Sequence, residues 1–284
     1  MQKSRSFGKV SHNNQKKIAV INDFCGFGRC SISVSLPIIS AMKIQCCPLP
    51  TSIFSNHTGY ESYFRTDYTE HINAYMDEWE KLDLRFNGIL TGYLASVEQI
   101  DIVKRFIEKF KETDTVTVID TVMGDDGKLY PGYSPLLAER MKSLVSYADI
   151  LTPNLTEACI LTDTEYRDDM SEADLLFICR RLRELGPKSI VISGLERAGD
   201  LENYVYEDGK EPKLIREHKV GACRAGTGDV FSSMIAADAV NGKTLVEAVT
   251  HASSFIAKVL RRTVELDIPK ADGICFEEFL SEIE

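Results

Sequence analysis

The segment Gly221-Ala-Cys-Arg-Ala-Gly-Thr-Gly-Asp229 carries the sharpest chemistry in the chain. Gly226 and Gly228 allow a backbone to approach a ligand closely. The apolar run that follows, with Val230, Phe231, Met234 and Ile235, reads as a helix. A helix amino terminus aims unpaired N–H groups at whatever sits above it, an anion hole suited to a phosphoryl group in flight. Asp229, in the first turn, can accept the proton of an attacking hydroxyl. Phosphoryl transfer needs such positioning and charge neutralisation more than covalent chemistry. The ordinary alternative is a glycine loop whose aspartate only complements the helix dipole, and these residues alone leave both readings open.

Other polar clusters are less specific. Asp120, Asp125 and Asp126 lie in Asp120-Thr-Val-Met-Gly-Asp-Asp-Gly127, just after a β-branched run. Carboxylates at the mouth of a parallel sheet can hold Mg²⁺ directly or through water. Asp125 to Gly127 also reads as a plain turn. Asn154 and Glu157 follow Pro153 at a helix start, where capping accounts for them as well. His57, in the polar stretch Thr51-Ser-Ile-Phe-Ser-Asn-His-Thr-Gly59, is the one histidine of five set among groups of substrate size, although a lone loop histidine is more often just hydrogen-bonded. Gly242-Lys-Thr244 imitates the end of a Walker A loop, but Ala237 stands where that loop needs glycine. Gly26-x-Gly28-x-x-Ser31 imitates a dinucleotide fingerprint, but Ile44 to Thr51 holds no acid to bind a ribose. No GxSxG elbow supports esterase chemistry.

The elements that must position these groups alternate between short apolar runs and amphipathic stretches. Ile18–Ile21 reads as a buried strand ending in the glycine-rich turn Cys25 to Ser31, with a helix over about Ile32 to Met42. Asn87–Leu90 and Thr115–Ile119 are further strands. Ser96 to Gln99 forms a capping-box pattern opening a helix with Ile100, Val103, Phe106, Ile107 and Phe110 on one face. Ser171 caps another, with Leu175, Cys179 and Leu182 inward. Ser189–Ile192 is a strand closed by Ser193-Gly194. Tyr204–Tyr206 and Lys213–Glu217 pair antiparallel around Asp208-Gly209. Such βαβ order predicts a parallel sheet with the site beyond its carboxyl ends, at Asn22-Asp23, Thr91-Gly92-Tyr93, Asp120-Thr121, Thr152-Pro153-Asn154 and Ser193-Gly194.

Composition bounds the reading. The 284 residues are 44% hydrophobic and 27% charged, ordinary for a soluble globular chain. The net charge of −10, from 33 basic and 43 acidic residues, argues against nucleic-acid binding. No run of about 18 apolar residues is present, so no membrane span is expected. The first residues, with Lys3, Arg5, Lys9 and Lys16, are polar and basic, and residues 1–16 are expected to be a flexible tail before one domain over 17–284. Eight cysteines form no CxxC pair and read as reduced thiols of a cytoplasmic protein. Cys25, Cys30, Cys46 and Cys47 lack zinc-site spacing.

Taken in order, Asp120-x-Val-Met-Gly-Asp125, Thr152-Pro-Asn-x-Thr-Glu157, Val191-x-Ser-Gly194 and Gly226-Thr-Gly-Asp229 resemble the ribokinase-like superfamily. Ser55-Asn-His-Thr58, Thr91-Gly-Tyr-Leu94 and the glycine-rich first turn resemble its pyridoxal/pyridoxamine kinase branch. The resemblance spans roughly residues 17–265. It implies a single-domain α/β fold with a central, mainly parallel sheet and helices on both faces. It also implies a homodimer, no large β lid, and transfer of the ATP γ-phosphate to the 5′-hydroxymethyl group of pyridoxal, pyridoxamine or pyridoxine. By the same resemblance Asp229 is the base, and Gly226, Thr227 and Gly228 are the anion hole, with Thr227 also beside the nucleotide. Asp120, Asn154 and Glu157 become the Mg²⁺ and triphosphate neighbourhood, with Asp120 and Glu157 on the metal and room for a monovalent cation. Ser193 lies beside the nucleotide. Asp23, Thr51, His57 and Tyr93 line the pyridine pocket, and Met123 to Tyr130 form a flap.

Two departures from the family pattern stand out. Thr121 replaces a usual proline, and Asp23 a usual serine; a carboxylate at 23 can pair with a ring nitrogen or a substrate amine, which suits pyridoxamine or pyridoxine. The rival readings are a hydroxymethylpyrimidine or other small-molecule kinase of the same superfamily, and a catalytically idle vitamer-binding protein. The idle protein is expected to have lost the acid or the glycines, and this chain keeps them.

Overall fold

Alternation along the strands sends Ala19 and Ile21 into one hydrophobic layer and Ile18 and Val20 into another. The same alternation parts Ile89 from Leu90, Ile119 from Val118, and Ile192 from Val191. A sheet buried on both faces in this way is what parallel pairing requires. The computed structural model describes residues 12–130 and 132–283. Its strands are β1 (Lys17–Phe27), β2 (Gln45–Asn56), β3 (Arg65–Asp67), β4 (Gly88–Thr91), β5 (Val116–Ile119), β6 (Gly124–Asp125), β7 (Lys128–Leu129), β8 (Ile150–Leu151), β9 (Ser189–Arg197), β10 (Asp200–Glu207) and β11 (Lys213–His218). The helices are α1 (Ile32–Ala41), α2 (Thr69–Lys81), α3 (Val97–Phe110), α4 (Pro135–Val145), α5 (Leu155–Thr162), α6 (Glu172–Glu184), α7 (Thr227–Val240) and α8 (Leu245–Glu265).

Nine strands form one sheet in the order β11-β10-β9-β8-β5-β4-β1-β2-β3, and β6 pairs with β7 in a separate hairpin. Pairing is parallel from β9 across to β2. It is antiparallel at β2–β3, β9–β10 and β10–β11. The helices α2 to α6 cover one face, and α1, α7 and α8 the other. Because β1 lies between β2 and β4, the winding reverses there, and a crevice opens beyond its carboxyl end. Among the described residues no helix is long and apolar enough to cross a membrane, and all eight cysteines are free.

Several local expectations change. The strand read as Ile18–Ile21 continues through the expected turn to Phe27, its register against β2 shifting between Asn22 and Phe24. Gly26 makes this passage feasible, since a Cβ there would meet the Ser55 carbonyl oxygen at 3.1 Å. The expected loop from Thr51 to Asn56 is the end of β2, masked in the sequence by Pro48 and Pro50. Ser193-Gly194 does not close β9. It marks a register shift against β10, with Gly194 at φ 75°. The expected tail residues Lys3, Arg5 and Lys9 lie outside the described residues. Further on, Asn13 donates to the Asp83 carbonyl at 3.0 Å and Lys16 Nζ to the Val240 carbonyl at 3.0 Å, so the segment before β1 is held.

The capping box at Ser96 forms only by half. Ser96 Oγ accepts from the Gln99 amide, but Gln99 Oε1 accepts from the Ala95 amide at 2.7 Å. The fully buried Gln99 Nε2 then donates to the Thr51 carbonyl at 2.8 Å and to Thr69 Oγ1 at 2.9 Å, tying α3 to β2 and α2. Replacing Gln99 by Ala removes all three bonds from this junction and orphans the Ala95 amide, while the Thr51 carbonyl keeps the Tyr68 amide and Thr69 keeps Asp67. It is expected to destabilise the fold by about 2–3 kcal/mol, read as a lowered urea midpoint at unchanged m-value.

Candidate active site

The turn after β1 and the start of α7 meet at a backbone contact. Gly226, the N-cap of α7, has φ 78°, and a Cβ added there would collide with the Arg29 carbonyl oxygen. The cap has no side-chain hydrogen bond, and although the Thr227 amide makes a long contact of 3.5 Å with the Arg224 carbonyl, the amides of Gly228 and Asp229 stay available to a ligand. Above Gly228 an added Cβ would meet nothing within 4 Å, which leaves those amides open to the cavity. Asp229 follows in the same turn.

Two groups orient Asp229. Asn22 Nδ2 donates to Asp229 Oδ1 at 3.1 Å, and the Ser31 amide donates to the same carboxylate. Asn22 is itself fixed, because its Oδ1 accepts from the Tyr93 amide at 2.7 Å and the Asp23 amide at 2.9 Å, which leaves its NH₂ facing Asp229. Gly92 makes room for it, since any Cβ there would strike the Asn22 carboxamide. Burial pushes the Asp229 carboxyl up to about 6, the hydrogen bonds from Ser31 and Asn22 opposing and the nearby Asp23 adding.

The other acids are grouped on the far side of Asp229. Burial pushes Asp120 up to about 8, with the Asp229 charge adding and a Ser232 hydrogen bond opposing. Glu157 is pushed well up by burial and by Asp120, against the pull of two backbone amides. Those are Met123 N, to Oε1 at 3.0 Å, and Asn154 N, to Oε2 at 3.0 Å. Asn154 Oδ1 in turn accepts from the Glu157 amide at 2.9 Å, completing the capping box of α5. Asn154 Nδ2 also donates to the Gly124 carbonyl at 2.8 Å, leashing the β6–β7 hairpin to α5. Two desolvated carboxylates that repel one another fit a hard divalent cation. Among the described residues no group of three or more His, Cys, Asp or Glu side chains forms a cage. The donor set therefore suits Mg²⁺ held by one or two carboxylates, with water and phosphate supplying the rest.

All of this faces one cavity of about 960 Å³. Asp229, Gly226, Thr227, Gly228, Asp120, Asn154, Glu157, Ser193, Asp23, His57 and Tyr93 line it. Thr51 is the exception. It is fully buried behind the wall, and its hydroxyl donates to the Tyr93 carbonyl at 2.9 Å, so it supports the pocket rather than lining it. Asn22, Ser31 and Arg224 line the cavity without having been singled out in the sequence. For Asn22 the signal was its place at a strand end. For Ser31 and Arg224 the two chain segments had first to be brought together.

Comparisons with known proteins give the chain its family. A family model described as phosphomethylpyrimidine kinase matches residues 32–273. A curated pyridoxal kinase of Arabidopsis thaliana is 32% identical over 228 residues, covering 77% of this chain and 72% of its own. A Bacteroides thetaiotaomicron VPI-5482 protein, provisionally named a phosphomethylpyrimidine kinase and solved with pyridoxal, superposes with a TM-score of 0.91. It is 36% identical, covering 95% of this chain and 96% of its own. Pyridoxal kinase from Lactobacillus plantarum superposes with a TM-score of 0.88 at 25% identity, covering 94% and 96%.

The contact at Gly226 can be tested directly. Gly226→Ala is expected to destabilise the fold by about 1–3 kcal/mol and lower the thermal midpoint by several degrees. Gly228→Ala, where the added methyl meets open space, serves as the near-neutral control.

Proposed function

The chain belongs to the phosphomethylpyrimidine kinase family, and from that membership and its cavity we infer an ATP-dependent kinase of the ribokinase-like superfamily that phosphorylates the 5′-hydroxymethyl group of a B6 vitamer. The observation that carries this reading is that Asp229 and the start of α7 face the same cavity as the aromatic side chains of Tyr93 and Phe54. Asp229 accepts the proton of the 5′-hydroxyl as its oxygen bonds to the γ-phosphorus and the bond to the β–γ bridging oxygen breaks. Asn22 and the Ser31 amide keep the carboxylate aimed. The amides after Gly226 take up the charge on the moving phosphoryl group.

Asp120 and Glu157 are the residues that would hold Mg²⁺, which when bound supplies charge neutralisation for the triphosphate. Asn154, through its bond to Gly124, keeps the hairpin flap in reach of the reactants. Leu195, Val220, Ile256 and Leu260 offer an apolar wall for the nucleotide base, with Ser193 at its edge. Asp23, His57 and Tyr93 contact the pyridine ring. The enzyme works in the cytoplasm, where eight free thiols stay reduced. It works as a homodimer, a reading supported by Phe27 and Phe64, which stand 58% and 69% exposed. A pyrimidine acceptor is the second reading, favoured by the family's own description. A panel of pyridoxal, pyridoxamine, pyridoxine and hydroxymethylpyrimidine with ATP and Mg²⁺ separates the two.

Asp229→Ala is expected to lower kcat by about 10²- to 10⁴-fold while ATP affinity holds. Near-normal turnover would remove Asp229 from the mechanism. The wild-type kcat/KM is expected to be flat above a pH of about 6 and to fall below it, as the carboxylate takes up the proton that disables it. Asn22→Ala removes a hydrogen bond that favours the ionised form, so its acid limb should move to higher pH.

A further inference from the structure

Asp23 is buried, only 5% exposed, at the carboxyl end of β1, and it lines the acceptor end of the cavity. Its partners are all neutral: the Cys25 thiol donates to Oδ2 at 3.3 Å, the Ser31 hydroxyl donates to the carboxylate, and so does its own amide. Among the described residues no lysine or arginine is paired with it. His57 is the basic side chain nearby, but the Gly59 amide donates to its Nδ1 at 3.1 Å, which requires the unprotonated ring nitrogen. Its Nε2 faces the Ala271 carbonyl at 2.6 Å, so both ring nitrogens are engaged away from Asp23, which His57 favours only through space. Burial accordingly pushes the Asp23 carboxyl up. A carboxylate in such a place is stabilised only when a ligand brings a positive charge to it.

Ser31 sets where that charge must sit. Its hydroxyl serves Asp23 while its amide serves Asp229, so the two carboxylates are neighbours across one residue. An aromatic acceptor whose hydroxymethyl group meets Asp229 carries the substituent of its next ring carbon towards Asp23. Resting on the function proposed above, we propose that Asp23 makes the enzyme selective for an acceptor bearing an ammonium group on the ring carbon next to the reacting hydroxymethyl, the aminomethyl vitamer pyridoxamine. Pyridoxal and pyridoxine present an aldehyde and a hydroxymethyl group at that position and leave Asp23 without a cation.

The test compares kcat/KM for pyridoxamine and pyridoxine in the wild type, Asp23→Asn and Asp23→Ser. The pyridoxamine-to-pyridoxine ratio is expected to exceed one in the wild type and to drop by about 10- to 100-fold in both variants. A ratio that stays within about twofold overturns the proposal. Should the variants fail to fold, the wild type without nucleotide decides it. Pyridoxamine must then raise the thermal midpoint more than pyridoxine at equal concentration, and an equal or smaller rise overturns it. Turnover of every vitamer with an unchanged ratio sinks this inference alone. Absence of vitamer turnover sinks the kinase reading, and the midpoint comparison still decides the role of Asp23.

Discussion

The carbonyl of Arg29 occupies the space that any side chain at Gly226 would need, and this one contact fastens the turn after β1 to the start of α7. Gly273 closes over the same carbonyl, where a Cβ would come within 2.8 Å, so the last part of the chain is fitted to the seam as well. The Arg29 amide donates to the Asp272 carbonyl at 3.2 Å, and Arg29 Nε pairs with Glu277 at 2.6 Å. Ser31, at φ 59° and ψ −140°, carries the strain of turning from strand to helix in so small a space. That strained turn brings the Ser31 amide to Asp229. Backbone packing therefore sets the orientation of the base before any side-chain chemistry is considered.

Five acids with raised affinity for protons share the cavity: Asp23, Asp120, Asp125, Glu157 and Asp229. Burial is the first cause for each, and repulsion from a neighbouring acid adds to it at all but Asp23. Such crowding runs against the stability of the empty fold, since each ionised acid loses hydration without gaining a cation. It is rational in a site whose ligands bring cations with them, as we propose for Asp120, Glu157 and Asp23. It also explains how a chain of net charge −10 can receive a triphosphate. The attraction is local, in the amides at the start of α7, and not in the overall field.

The catalytic end of this arrangement was legible in the sequence because it is local. Gly226 to Asp229 is one turn of one helix, and Asn154 to Glu157 is one capping box, so periodicity and capping rules reach them. The strand ends at Asn22-Asp23, Tyr93 and Asp120 followed from βαβ order alone. What the sequence hid was long-range. The extension of β1 depends on a bulge and on Gly26 against β2, and β2 itself was obscured by two prolines. Thr51 was placed in the pocket by the family resemblance, yet its place in β2 turns it inward behind Tyr93. The double role of Ser31 is invisible without the seam, since its two acceptors are far apart in the chain.

That double role separates two tasks which share a wall. The aim of Asp229 comes from the Asn22 carboxamide and from a main-chain amide of Ser31, neither of which involves the Asp23 side chain. Asp23 holds Asn22 only through its own amide, which any residue supplies. The side chain at position 23 can therefore vary without loosening these hydrogen bonds, although its charge helps to raise Asp229. Changing residue 22 or 31 has no such freedom, because Asn22 must accept from two amides while donating to the base, and Ser31 must keep a conformation few residues tolerate. Acceptor choice is thus open to drift in this fold at a position one residue away from where catalysis is not.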